Sequence, residues 1–200
     1  MCATYRIFTD EENEEIRRII EEVSRKTASE KIPAMFEKDS YPGGLAPIRR
    51  TEDGLVPATW GFPMKGSRSV VFNARGETLP EKYMFKYRLS EGRCLIPATG
   101  FYEWDKRDER KKIRLLIRPV KPSKSGLFYL AGLWKDCGAP QPCFTMVTTA
   151  PNDQICPIHN RMPAILPPGE EEAWLDPRAE LPEVLRLLAP YEGDLLMAAG

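Results

Sequence analysis

No apolar run in this 200-residue chain approaches the ~18–20 residues a bilayer-spanning helix requires, so a helical membrane anchor is not expected. The first residues are short and mixed, and acidic side chains follow at once, which does not read as a secretory leader. Cysteine numbers only five, with no C-x-x-C pair, which argues against both a disulfide framework and a structural zinc site. A reducing cytoplasm, with neither metal nor cofactor, is the expectation. Histidine is scarcer still. His159 is the sole imidazole, so any imidazole proton transfer must pass through it. Internal repeats and low-complexity tracts are absent, which removes solenoids and disordered tails from consideration.

What remains is an ordinary globular composition, 42% apolar and 29% charged, in a length that suits one domain with a substantial core. The formal net charge is zero, but the charge is unevenly placed. Residues 1–40 carry 7 basic and 10 acidic side chains, residues 41–125 carry 18 and 9, and residues 126–200 carry 4 and 10. A basic middle third is what a phosphate-binding face requires, because neutralising phosphates drives nucleic-acid affinity. Solvated loops and helix faces would give the same count, and the numbers alone leave both readings open.

Ile16, Ile19, Ile20 and Val23 recur at helical spacing, and Thr9 with Glu12 fits a capping box, so an amphipathic helix is expected over residues 10–26. The proline- and glycine-rich stretch over 40–68 reads as irregular and surface-running. Val70-Val71-Phe72 reads as a strand leading into Asn73-Ala74-Arg75, and 80–89 as a short helix with Pro80 in its first turn. The runs 94–104, 113–118, 127–134 and 143–149 read as strands, the first two pairing as a hairpin around the charged 105–112 tip. A further strand is expected over 162–166, and helices over 170–175 and 181–188. Strands with flanking helices and no βαβ repeat imply a single compact α+β domain built on a mostly antiparallel sheet.

Several residue types in this pattern carry chemistry. Loss of Met1 would leave Cys2 as an N-terminal aminothiol, whose amine condenses with carbonyls while its thiol adds to the product. The pair can trap an aldehyde as a five-membered thiazolidine, which no internal cysteine can do. Glu103 lies among Phe101, Tyr102 and Trp104 at the end of an apolar strand. A carboxylate there is either desolvated, and so suited to general acid–base work, or turned outward by strand alternation. Asn73 and Arg75 alternate with Ala74 and can project from one face of an extended segment, Arg75 gripping a phosphate or pairing with Glu77. Arg161, close to His159, is a second phosphate ligand or half of an ion pair. Trp60 and Trp104 are base-stacking platforms or core residues. Thr148 and Thr149 can offer hydroxyls to a nucleic-acid backbone. Cys94, Cys137, Cys143 and Cys156 read as buried or incidental.

Cys2, the Asn73-Ala74-Arg75-Gly76-Glu77-Thr78 block, Arg93-Cys94-Leu95-Ile96-Pro97-Ala98-Thr99-Gly100-Phe101-Tyr102-Glu103-Trp104 and Ile158-His159-Asn160-Arg161-Met162-Pro163 together resemble the SRAP (SOS response-associated peptidase) family, in the family's order, from the first residues to about Pro168. The resemblance implies a compact, barrel-like β-rich fold and covalent capture of abasic sites in single-stranded DNA by the N-terminal cysteine. It implies catalytic roles for Cys2, Asn73, Glu103 and His159, while the residues themselves point to DNA contacts at Arg75, Arg161, Trp60, Trp104 and Thr149. The peptidase in the family name is read as self-removal of the leading residue, and a monomer is the default. Three departures stand out. Ala3 and Thr4 follow Cys2 where the family has glycine and arginine, leaving Arg6 as the nearest arginine. Gly44-Leu45-Ala46-Pro47 lacks the family's asparagine, and no family block follows Pro168. The residues also admit a thiol hydrolase, with Cys2 as nucleophile and His159 as base, and a non-covalent single-strand-binding module.

Overall fold

The computed structural model describes residues 2–7, 14–26, 39–51, 53–105, 107, 110–122 and 126–200. The Thr9–Glu12 capping box lies outside these residues. The elements in chain order are β1 (Tyr5–Arg6), α1 (Glu14–Lys26), β2 (Leu45–Arg50), β3 (Gly54–Trp60), β4 (Phe62–Pro63), β5 (Val70–Val71), β6 (Asn73–Arg75), a 3-10 turn (Gly76–Thr78), α2 (Tyr83–Glu91), β7 (Arg93–Ala98), β8 (Gly100–Asp105), β9 (Ile113–Pro119), β10 (Phe128–Lys135), β11 (Cys143–Thr149), β12 (Met162–Pro163), α3 (Glu171–Leu175), α4 (Leu181–Arg186) and β13 (Leu195–Ala199).

Five of these strands close on themselves. β10 pairs with β7, β7 with β2, β2 with β3, β3 with β11, and β11 returns to β10. Closure leaves no free edge within the ring. Every pairing around it is antiparallel except β3–β11. A second sheet runs β1–β8–β9–β13, all antiparallel, and β4–β5 is a small ribbon. The fold is α+β, as expected. α1 lays Ile16, Ile19 and Val23 against β3, and Glu22 accepts the Leu55 N–H at 2.9 Å.

Two readings from the sequence are corrected, and one stretch given no element gains a strand. Residues 40–68 are not a surface loop: they contribute β2 and β3 to the barrel. Proline is usually a strand breaker, but Pro47 and Pro57 stand directly opposite one another. Two prolines cannot exchange N–H···O bonds, so this is a non-hydrogen-bonded site where each missing donor would point to the strand beyond. Neither β7 at Pro47 nor β11 at Pro57 is laddered at that point. The run 94–104 is two strands, because the chain leaves the barrel at Thr99, whose N–H donates to the Arg6 carbonyl at 2.8 Å, and enters the second sheet at Gly100. A Cβ on Gly100 would lie 2.5 Å from the tip of the Leu116 side chain, which would have to shift to admit one. Finally, the acidic C-terminal stretch supplies β13, which covers β9.

β11 positions the functional side chains because it changes partners along its length. At Cys143 and Phe144 it pairs with β3; at Met146 to Thr148 it pairs with β6 instead, setting Asn73 beside Met146 and Arg75 beside Thr148. Its other neighbour changes from β10 to β12, which sets Pro163 beside Thr148 and Met162 beside Thr149. The far end of one barrel strand thus holds the Asn-Ala-Arg block on one flank and the His-Asn-Arg-Met-Pro block on the other.

Candidate active site

Cys2 enters from the second sheet. β1 pairs with β8 through Tyr5–Phe101 and Arg6–Gly100, and the Tyr102 N–H donates to the Thr4 carbonyl at 2.9 Å. This register brings the first residues alongside Glu103. Cys2 is 1% exposed, and its thiol donates to the Thr4 carbonyl at 3.3 Å. Burial, reinforced by the negative charge of Glu103, pushes the thiol up to about 12. The thiol therefore rests neutral, and a base would be needed to make it a thiolate.

Glu103 is 5% exposed, so the outward-facing alternative for this carboxylate does not hold; its neighbour Trp104 faces out instead, 48% exposed. Asn73 comes from the barrel side. Its Nδ2 donates to the Cys2 carbonyl at 2.8 Å, tying together residues 71 positions apart. Asn73 Oδ1 is buried and accepts no hydrogen bond, which leaves an acceptor beside Cys2. Cys2, Asn73 and Glu103 are thus linked by direct interactions across the two sheets.

His159 sits half-buried at the end of the 153–158 turn. Its N–H donates to the Ile155 carbonyl at 2.9 Å, and its Nδ1 lies 3.1 Å from both the Arg161 N and the Arg161 carbonyl oxygen. The ring orientation is therefore fixed by its own loop. Ile155 and Met162, on either side of it, belong to the same apolar cluster as Cys2, Tyr5, Trp60 and Phe101. The loop that carries His159 is joined to the barrel through β12, which pairs with β11.

Three residues expected to meet DNA are held by the protein itself: Thr149 is buried in β11, and Trp60 and Arg161 are tied up by internal partners. Trp60 is completely buried, stacked on Phe144 at 6.1 Å and 9°, with Tyr5 edge-on at 5.1 Å. Its Nε1–H donates to the Phe72 carbonyl at 2.8 Å. It offers no face to a base. Arg161 grips Glu77 through both Nη atoms at 2.7 and 2.9 Å, and Nη2 also donates to the Thr148 carbonyl at 2.6 Å. With a side chain only 13% exposed, it is a clamp between β11, β12 and the 3-10 turn rather than a phosphate ligand. The Arg161 guanidinium, chiefly by hydrogen bonding, holds the Glu77 carboxyl below its ordinary range. Glu77 therefore pairs with Arg161, not Arg75. Arg75 itself is exposed, while Thr148 and Thr149 are buried in β11.

Sequence reasoning missed one cluster beside Glu103. Asp39 bridges Arg6 and Arg114, the latter at 2.7 Å, and Arg114 lies 3.5 Å over the Tyr102 ring with Arg6 at 5.1 Å. Burial acts to raise the Asp39 carboxyl, but the two guanidiniums outweigh it and hold it below its ordinary value. Tyr102 precedes Glu103, so this cluster braces the strand that carries the carboxylate. Its signal was weak, because Asp39 and Arg114 are 75 residues apart.

These residues sit in a frame that matches a known family end to end. The model of the SOS response associated peptidase (SRAP) family matches residues 1–199. The chain belongs to the SRAP family. Among curated relatives, "Abasic site processing protein YoqW" of Bacillus subtilis is 41% identical over 146 residues, covering 70% of this SRAP chain and 63% of the relative. "Abasic site processing protein HMCES" of Xenopus tropicalis is 33% identical over 184 residues, covering 78% and 53%. The matches thus span less than two thirds of the length of these relatives. A crystal structure of a protein from Bacteroides thetaiotaomicron shares the SRAP fold seen here, with a TM-score of 0.77 at 24% identity over 98% of this chain and 91% of that one. Among the described residues, no group of three or more metal-ligating side chains could hold an ion, and no helix is long and apolar enough to cross a membrane.

Proposed function

We propose that the protein binds single-stranded DNA at an abasic site and joins itself to the lesion through Cys2. Hydrolysis of the Met1–Cys2 bond frees the Cys2 amine. The amine adds to the C1′ aldehyde of the ring-opened sugar, and loss of water gives a Schiff base. The thiol sulfur then bonds to the same carbon, its proton passes to the ring nitrogen, and a thiazolidine closes. The observation that carries this reading is the meeting of Cys2 with Asn73 and Glu103: one holds the nucleophile's backbone at 2.8 Å and the other sets its charge environment.

Each residue then has a task. Glu103 takes the proton from a thiol that burial keeps neutral and delivers it to the ring nitrogen as the thiazolidine closes. Asn73 fixes the carbonyl side of Cys2, leaving its buried Oδ1 to receive the freed amine. His159, held by its loop, assists opening of the sugar. Arg75 meets a flanking phosphate, and the exposed face of Trp104 stacks on a neighbouring base. The names of the relatives support abasic sites as the target. Incubation with single-stranded DNA bearing one abasic site should give a heat-stable, gel-shifted adduct, and Cys2→Ala should give none. A heat-stable adduct from Cys2→Ala would refute this chemistry.

A further inference from the structure

We infer that Cys137 and Cys143, which lie outside the Cys2 site, form a reversible disulfide under hydroperoxide stress, a modification site at the rim of the barrel. Three observations place them together. β10 and β11 form a hairpin in which Lys135 stands opposite Cys143, and Cys137 follows Lys135 by two residues. The ladder ends at that pair, so Cys137 lies two residues beyond it, in the turn that leads back to Cys143. Both thiols are free and pack against the same apolar cluster, which contains Cys143 and borders Cys137. The Cys137 side chain is also near enough to act on the Cys143 thiol. The turn between them is tight: Gly138 has φ +72°, and its N–H donates to Asp136 Oδ1 at 2.8 Å.

The environments of the two sulfurs differ in a way that suits stepwise oxidation. Cys137 is partly exposed in the loop, whereas Cys143 begins a barrel strand and is buried. Burial first, then the neighbouring Cys137, pushes the Cys143 thiol up, while the Lys135 ammonium works in the opposite direction. The Cys137 sulfur attacks the hydroperoxide, breaking its O–O bond and giving a sulfenic acid and water, or an alcohol from an organic hydroperoxide. Cys143 then attacks that sulfur, forming the S–S bond and expelling a second water. Two thiols lose two electrons and two protons to one peroxide. Cys2, 1% exposed and strongly disfavoured as a thiolate, is not the first thiol to react.

The test uses the whole chain, treated with equimolar hydrogen peroxide, unfolded, alkylated with iodoacetamide and digested with chymotrypsin. Cleavage after Trp134 and Phe144 isolates a peptide holding Cys137 and Cys143 apart from the other three cysteines. This peptide should emerge unlabelled and lighter by two hydrogens, should regain both labels after dithiothreitol, and should do so while the Cys2 peptide is still fully labelled. In Cys137→Ser, whose change lies in the loop, Cys143 should be fully labelled after the same treatment. A wild-type peptide carrying both labels, oxidation of Cys2 ahead of the pair, or a disulfide from Cys143 to another cysteine in Cys137→Ser would each overturn the inference.

Discussion

The barrel and the second sheet divide the work of the site differently. The closed ring β10–β7–β2–β3–β11 buries side chains inside and fixes register, and through β11 it sets Asn73 and the His159 loop on rigid footings. The open sheet β1–β8–β9–β13 carries Glu103, its β1 leads in from Cys2, and Trp104 stands exposed on it. Trp60 and Trp104 show the contrast in one residue type. The first is a structural post in the ring; the second is a surface available to a ligand. A ring without edges aligns groups well and exposes few, whereas the sheet that is not closed leaves Trp104 open to solvent.

Substitutions at these two tryptophans should separate the regions most sharply. Trp60→Ala should cost about 3–5 kcal/mol of stability through cavity formation, read as a lowered denaturant midpoint. Trp104→Ala should stay within about 0.5 kcal/mol of wild type while weakening single-stranded DNA binding. Equal destabilisation by the two changes would erase the distinction.

Next in size is Glu103→Gln, on the open sheet. It should slow adduct formation about 10²-fold without unfolding the protein. Burial is the larger cause of the raised Cys2 thiol and Glu103 the lesser, so removing the carboxylate should move the pH profile of Cys2 alkylation to lower pH while leaving it above that of an exposed cysteine. An unshifted profile would show that Glu103 does not act on this thiol.

The smallest contrast lies between two arginines on the barrel flank. Arg161→Ala should destabilise by about 1–3 kcal/mol, because the Thr148 carbonyl and Glu77 lose their donor. Arg75→Ala should leave stability alone and reduce the salt slope of DNA binding by about 1. The reverse pattern, a stable Arg161→Ala with a reduced salt slope, would return Arg161 to the DNA-facing side.

Much of this arrangement was legible in the residues, and the gaps have physical causes. Local signals served where one element decides its own form: the apolar spacing of Ile16, Ile19 and Val23, and the alternation in 143–149, both correspond to observed elements. They failed for β2 and β3, because the penalty for proline in a strand disappears when two prolines face each other at an unladdered site. The break at Thr99 was invisible, since it depends on a hydrogen bond to Arg6 from the opposite end of the chain. Fold geometry likewise determined Arg161, whose partner Glu77 is 84 residues away. Cys2, Asn73 and Glu103 were nameable as chemistry, but only the crossing from barrel to second sheet explains how they meet.

The short β1–β8 ladder gives the seating of the nucleophile an observable handle. The Thr99 and Tyr102 amides donate to Arg6 and Thr4, so their shielding from solvent deuterium depends on the chain's opening residues being docked. A lesion mimic that locks this segment down would lengthen the exchange lifetimes of those two amides ahead of the barrel's. Two backbone protons would then time how often the segment that carries Cys2 lifts away.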